Sequence, residues 1–158
     1  MKLSRQFKTL IQNWNNFDWS ILNELDEFYN QHPEVKVCAS NKNNVLTDFI
    51  KTGVYNKNRE FHTTISPSMD ILISSNLERF LYDLSDCDDK LICSLMEKLN
   101  TDGVYEVDEK IKSKLSELFC AGCADDKETM ETIKACRDEY GYVIDTHTAV
   151  AYAVYNKY

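Results

Sequence analysis

The chain reads as an α/β domain, rich in helix and built around a small, mostly parallel sheet. Three observations predict it. Apolar residues recur every three or four positions along most of the chain, the spacing that lines one face of a helix. Only short, well-separated apolar runs lie between those stretches, and strands separated by helices pair in parallel. The 158 residues include four Gly and two Pro, about half or less of ordinary usage. So little glycine disfavours the many tight turns of a sandwich.

Residues 1–34 read as a polar helical segment. Ile21, Leu22, Leu25, Phe28 and Tyr29 share a face, with Asp18 or Ser20 as N-cap, and His32-Pro33 stops the helix. Val35 to Ser40 alternates as a short strand, and Asn41 to Asn44 makes a turn. The helix from Val45 to Thr52 ends at Gly53, suited to a left-handed cap. A polar connection (Asn56 to Glu60) and an irregular stretch (63–68) lead to Met69–Ile73, an expected buried strand. Ser75-Asn76-Leu77-Glu78 has the spacing of a capping box and opens a helix carrying Leu77, Phe80, Leu81 and Leu84.

The next helix runs from Asp88 to Leu99 on Leu91, Ile92, Leu95 and Met96, and stops near Gly103. Val104 to Val107 is a short strand. Asp108 then caps a helix bearing Ile111, Leu115 and Leu118, whose end holds Cys120-Ala121-Gly122-Cys123. An acidic first turn, Asp125 to Glu128, opens a helix through Met130, Ile133, Cys136 and Tyr140 to Gly141. Tyr142 to Ile144 reads as a strand of three. The last helix follows Asp145, with Val150, Ala151, Val154, Tyr155 and Tyr158 inward.

Charge narrows the function. Eighteen Lys and Arg against 26 Asp and Glu leave a net charge of −8, against the basic clustering a nucleic-acid binder needs. Neither GxGxxG nor GxxxxGK[ST] occurs. No apolar run is long enough for a membrane span, and the N-terminus has no secretory core, so a cytoplasmic protein without nucleic-acid or membrane partners is expected. The six cysteines then read as reduced thiols. Cys120 and Cys123 form the only CxxC; without a second ligand pair, a zinc or redox site is the weaker reading and no metal is expected.

Residue chemistry alone leaves the site open. His147 stands two residues after Asp145 at a helix start; it is either an acid/base or anion contact, or an ordinary first-turn residue behind a capping Asp145, and capping is favoured. Ser66-Pro67-Ser68-Met69-Asp70 is either a ligand-binding turn or a strand entry. Asn41, Asn43 and Asn44 are turn formers first. His32 and His62 fall in polar connections and are expected to be solvated.

From residue 35 onward the sequence resembles the C-terminal portion of threonine synthase, in its clostridial-type form. Three blocks carry the resemblance: Val37-Cys38-Ala39-Ser40-Asn41 with Asn44 to Tyr55, Ser66 to Arg79, and Gly141 to Tyr152. They implies a division into a helical segment, 1–34, with a degenerate phosphate loop, and a threonine-synthase-like domain, 35–158. The fold implied is a three-layer part of the fold type II architecture of pyridoxal-phosphate enzymes. That family converts O-phosphohomoserine to threonine and phosphate, using pyridoxal phosphate as an electron sink. Asn41, Ser66, Ser68, Asp70, Asp145 and His147 match family blocks and become candidates for lining or bracing the substrate cleft, none with an assigned catalytic role.

The departures matter equally. The family's cofactor lysine stands in a Phe-Lys-Asp context upstream, and no Phe-Lys-Asp occurs. The Gly-Asn-Phe-Gly phosphate loop corresponds to Asn15-Asn16-Phe17-Asp18: Asn16 and Phe17 remain as cofactor-contact candidates, but both glycines are replaced. Asp18 would bring negative charge toward a phosphate dianion. The family's closing Thr-Ala-Ser-Pro stretch is absent. The expectation is a domain inactive alone and binding no cofactor alone, which self-associates or joins the missing part of the enzyme. The alternative is a non-catalytic pseudoenzyme acting as a protein-interaction module.

Overall fold

A computed structural model describes residues 36–158. The readings made for residues 1–35, including Asn16 and Phe17, lie outside the described residues. Strand β1 (Lys36–Ser40) is followed by α1 (Val45–Thr52), β2 (Val54–Asn56), a single 3-10 turn (Pro67–Met69), α2 (Ser75–Leu84) and α3 (Asp89–Thr101). Then come β3 (Val104–Glu106), α4 (Glu109–Leu118), β4 (Phe119–Cys123), α5 (Asp126–Tyr140) and α6 (Thr146–Tyr155).

The strands form two pairs. β1 and β4 run parallel with Cys38 opposite Ala121; β2 and β3 run antiparallel with Tyr55 opposite Tyr105. Side chains alternate across a strand, and that alternation sets the layers. Val37 and Ala39 pack with Val150 and Val154 of α6. Ser40, on the opposite face, receives the Thr47 hydroxyl of α1 at 2.9 Å. The same hydroxyl lies 2.8 Å from the Gly122 carbonyl and pins α1 to β4. The parallel pair is thus held between α1 and α6, and α5 covers the outer side of α6. The expected helix-rich α/β domain with a small parallel sheet is what forms.

The larger core lies beside that sheet, where α1 to α4 meet β2 and β3 around Phe49, Tyr55, Leu81, Tyr105 and Leu115. Tyr55 and Tyr105 stack at 5.2 Å, and Phe49 stands edge-on to both at 5.6 and 5.8 Å. These are favourable offset and T-shaped aromatic arrangements. The Tyr55 hydroxyl donates to the Leu72 carbonyl and accepts from the Ser74 amide, so the core tethers the segment leading into α2.

Local signals explain most boundaries. Gly53 and Gly141 close α1 and α5 in the left-handed conformation, with φ of 78° and 69°. Asp88, Asp108, Asp125 and Asp145 cap α3, α4, α5 and α6 with side-chain acceptors, and Asp125 with Glu128 forms a full capping box.

Several expectations are corrected. Met69–Ile73 is not a buried strand: Pro67 starts the 3-10 turn, and Ile73 is 55% exposed. The cap of α2 is Ser74, not Ser75; its extended backbone lets its hydroxyl accept from the Leu77 amide, and no box with Glu78 forms. Gly53 leads directly into β2, a strand too short to alternate visibly. Tyr142–Ile144 forms no strand. The CxxC lies in β4 because α4 passes into that strand without a turn. On α6, Ala149 and Ala153 join Val150 and Val154 inside, while Ala151 and Tyr158 are exposed. Ala151 falls about 100° around the helix from Val150.

Gly122 sets how closely α6 approaches the sheet. A Cβ at that position would lie 2.7 Å from Val154 Cγ1, inside any tolerable contact. Gly122→Ala is therefore expected to cost about 1–3 kcal/mol by forcing α6 outward. Thermal melting checks this, and Gly122→Ala combined with Val154→Ala should recover part of the loss.

Candidate functional site

β1 and β4 end side by side, and the chain leaving β1 places Asn41 just beyond their carboxyl ends. That edge is where open α/β sheets bind ligands. Asn41 is 1% exposed and Asn43 3% exposed, so these are not merely solvated turn residues. The Asn41 Oδ1 accepts from the Asn43 backbone amide at 2.9 Å, closing a local turn. Its Nδ2 faces Asp70 Oδ1 at 2.7 Å, Thr64 Oγ1 at 2.8 Å and Ser66 Oγ at 3.0 Å.

Asn43 completes the frame. Its Nδ2 donates to Asp70 Oδ1 at 2.9 Å and to the His62 carbonyl at 2.8 Å, while its Oδ1 accepts from the His62 amide at 2.9 Å. The 62–70 loop is thereby threaded onto two asparagine side chains. His62 is half-buried, contrary to the expected solvation, because its backbone is held by Asn43. At its middle, the Ile65 amide reaches Asp126 Oδ1 at 3.3 Å on the first turn of α5.

Asp70 is the anionic centre. Desolvation pushes its carboxyl up, but the Thr64 amide and hydroxyl with the Asn41 and Asn43 side chains outweigh this and hold it below the usual carboxylate value. It stays ionised and fully engaged at neutral pH. Among the described residues no buried side-chain oxygen or nitrogen lacks a hydrogen-bond partner.

A second line of contacts joins this loop to α6. The Ser68 amide donates to His147 Nε2 at 3.2 Å, and His147 Nδ1 lies 3.4 Å from Asp145 Oδ1. Asp145 Oδ1 also accepts from the His147 and Thr148 amides at 2.9 and 3.1 Å, and its Oδ2 accepts from the Thr148 hydroxyl. The Thr148 hydroxyl bond leads in holding the Asp145 carboxyl down, against desolvation, with the two amides helping. Asp145 caps the helix, as its position predicts, and also faces the imidazole.

Of the six cleft candidates, Asn41, Ser66 and Asp70 therefore meet in one cluster, and Ser68, Asp145 and His147 in a second. Asn43 and Thr64 carry as many of the first cluster's contacts and were not singled out as site residues. Nothing in their spacing marks them, because their partners lie 19 to 27 residues away along the chain or within the loop itself. Among the described residues no group of three metal-ligating side chains converges. Cys120 and Cys123 project to opposite faces of β4. No helix among the described residues is long and apolar enough to cross a membrane.

No family profile matches the chain. Individual relatives do. The chain is 41% identical over 119 residues to the human protein "Threonine synthase-like 1", covering 75% of this chain and 16% of that protein. Against the threonine synthase of Methylobacillus glycogenes it is 41% identical, over 72% of this chain and 25% of the relative. Among solved structures, the pyridoxal-phosphate-bound threonine synthase of Brucella melitensis superposes with a TM-score of 0.76 at 35% identity, over 78% of this chain and 26% of that one. The yeast threonine synthase gives 0.74 at 34%, over 78% and 27%. The chain thus spans about a quarter or less of the length of these relatives. Over most of its own length, it is related to the threonine synthases in both sequence and fold.

Proposed function

We propose that this chain is a threonine-synthase-like domain, corresponding to the C-terminal portion of the clostridial-type enzyme and working in the cytoplasm. In a complete enzyme it forms one wall of the cleft where O-phosphohomoserine becomes threonine and phosphate; alone it is inactive. The observation that carries the reading is the Asn41–Ser66–Asp70 cluster, rigidly built at the carboxyl edge of β1 and β4 in a chain related to threonine synthases. On this reading Asn41, Ser66 and Asp70 shape the wall, and Ser68, Asp145 and His147 brace it.

The Asn41–Ser66–Asp70 cluster does not by itself fit pyridoxal phosphate. The cluster's polar atoms are all engaged with one another, its centre is an ionised carboxylate that repels a phosphate dianion, and it contains no lysine. The cofactor therefore belongs to the complete enzyme in this proposal. Mixing the chain with pyridoxal phosphate, reducing with borohydride and weighing the product is expected to leave its mass unchanged. A stoichiometric adduct on one lysine overturns the inactive-alone reading.

A second reading, a non-catalytic module that binds itself or another protein, draws support from Phe61, Ile73 and Val143, which are 52%, 55% and 62% exposed. Light scattering together with a lysate pulldown on the purified chain tests the module: a clean monomer that captures nothing counts against it.

A further inference from the structure

We propose that His147 is a pH-operated latch that fastens the 62–70 loop to α6 when its imidazole is neutral and releases it when protonated. The inference concerns this chain's own loop and does not depend on the catalytic reading. The Ser68 amide can donate to His147 Nε2 only if that nitrogen carries a lone pair. The ring's single proton then sits on Nδ1, 3.4 Å from Asp145 Oδ1. Protonating Nε2 sets two N–H groups against each other across 3.2 Å, and the contact opens. The new positive charge stays beside the Asp145 carboxylate, so release costs the imidazolium little.

The surroundings leave this contact as the responsive one. Asp145 is the ionisable neighbour from the start of α6 itself. The Pro67–Met69 turn brings no ionisable group, and β1 packs on α6 through Val37 and Ala39. From α5, Asp126 is turned to the Ile65 amide, while Glu128, Glu131 and Glu139 line a groove with Tyr152, Asn156 and Lys157 further along α6. Asp70 faces the asparagines. The loop accordingly has two fastenings of different chemistry, a carboxylate cluster and an imidazole acceptor. The Asp70 cluster persists into the acid range, because its carboxyl is held below its ordinary value. The His147 fastening depends instead on the lone pair at Nε2 that receives the Ser68 amide.

Amide exchange on the nitrogen-15-labelled chain between pH 8 and 5 tests this. The Ser68 protection factor is expected to fall at least about tenfold, the equivalent of one pKa unit, following the protonation seen in the His147 ring resonances. The Thr64 amide, bound to Asp70, should keep its protection throughout and report an intact fold. His147→Gln retains an acceptor oxygen that does not titrate and should remove the midpoint while keeping Ser68 protected. Ser68 protection that ignores the His147 titration, or that keeps the same midpoint in His147→Gln, overturns the latch.

Discussion

Asn41→Ala is expected to destabilise the folded chain by about 2–4 kcal/mol, the cost of leaving buried partners of a charged hydrogen-bond network unsatisfied. The side chain joins the end of β1 to Thr64, Ser66, Asp70 and Asn43, and is almost wholly buried. Its loss removes one donor to the Asp70 carboxylate and the acceptor of the Asn43 amide together. Urea denaturation measures the cost. The same network gives a pH signature. Asp70 has a folded value below its unfolded value, so its contribution is present above about pH 4 and is lost as pH falls through the folded value. Asp70→Asn should flatten that part of the acid profile, because an amide cannot titrate and would present donors to donors.

Phe49→Ala is expected to cost about 3–5 kcal/mol, within the range for truncating a fully buried phenylalanine. Phe49 has no exposed surface and lies edge-on to both Tyr55 and Tyr105. Removing it opens a cavity between α1 and the β2–β3 pair, and strips the support of the Tyr55 hydroxyl that holds Leu72 and Ser74. Denaturant melts of Phe49→Ala and Phe49→Leu should rank with leucine between alanine and the parent. An alanine variant as stable as the parent contradicts the packing described.

Helices were legible because their signals are local. Asp108 and Asp145 cap where a short polar residue precedes an apolar stripe, and Gly53 ends α1 where a left-handed residue is needed. The antiparallel β2–β3 pair was not legible: each strand has three residues, and its register depends on Tyr55 meeting Tyr105 across fifty positions of chain. Met69–Ile73 misled because its apolar run resembles a strand, whereas Pro67 and the pull of Asp70 toward Asn41 shape it into a turn. Family resemblance singled out Asn41, Ser66 and Asp70, and the fold brings those three together. Asn43 and Thr64 escaped because a turn-forming asparagine and a loop threonine look alike whether solvated or buried. Only the path of the 62–70 loop over the strand ends distinguishes those states.

The central claim is that this domain supplies a cleft wall. Replacing the matching segment of the yeast threonine synthase with residues 36–158 tests it most directly, with phosphate release from O-phosphohomoserine as the readout. The chimera is expected to fold, bind pyridoxal phosphate and release phosphate, and Asn41→Ala within it should abolish most of that activity. A folded, cofactor-loaded chimera that releases no phosphate, or one indifferent to Asn41→Ala, contradicts the account.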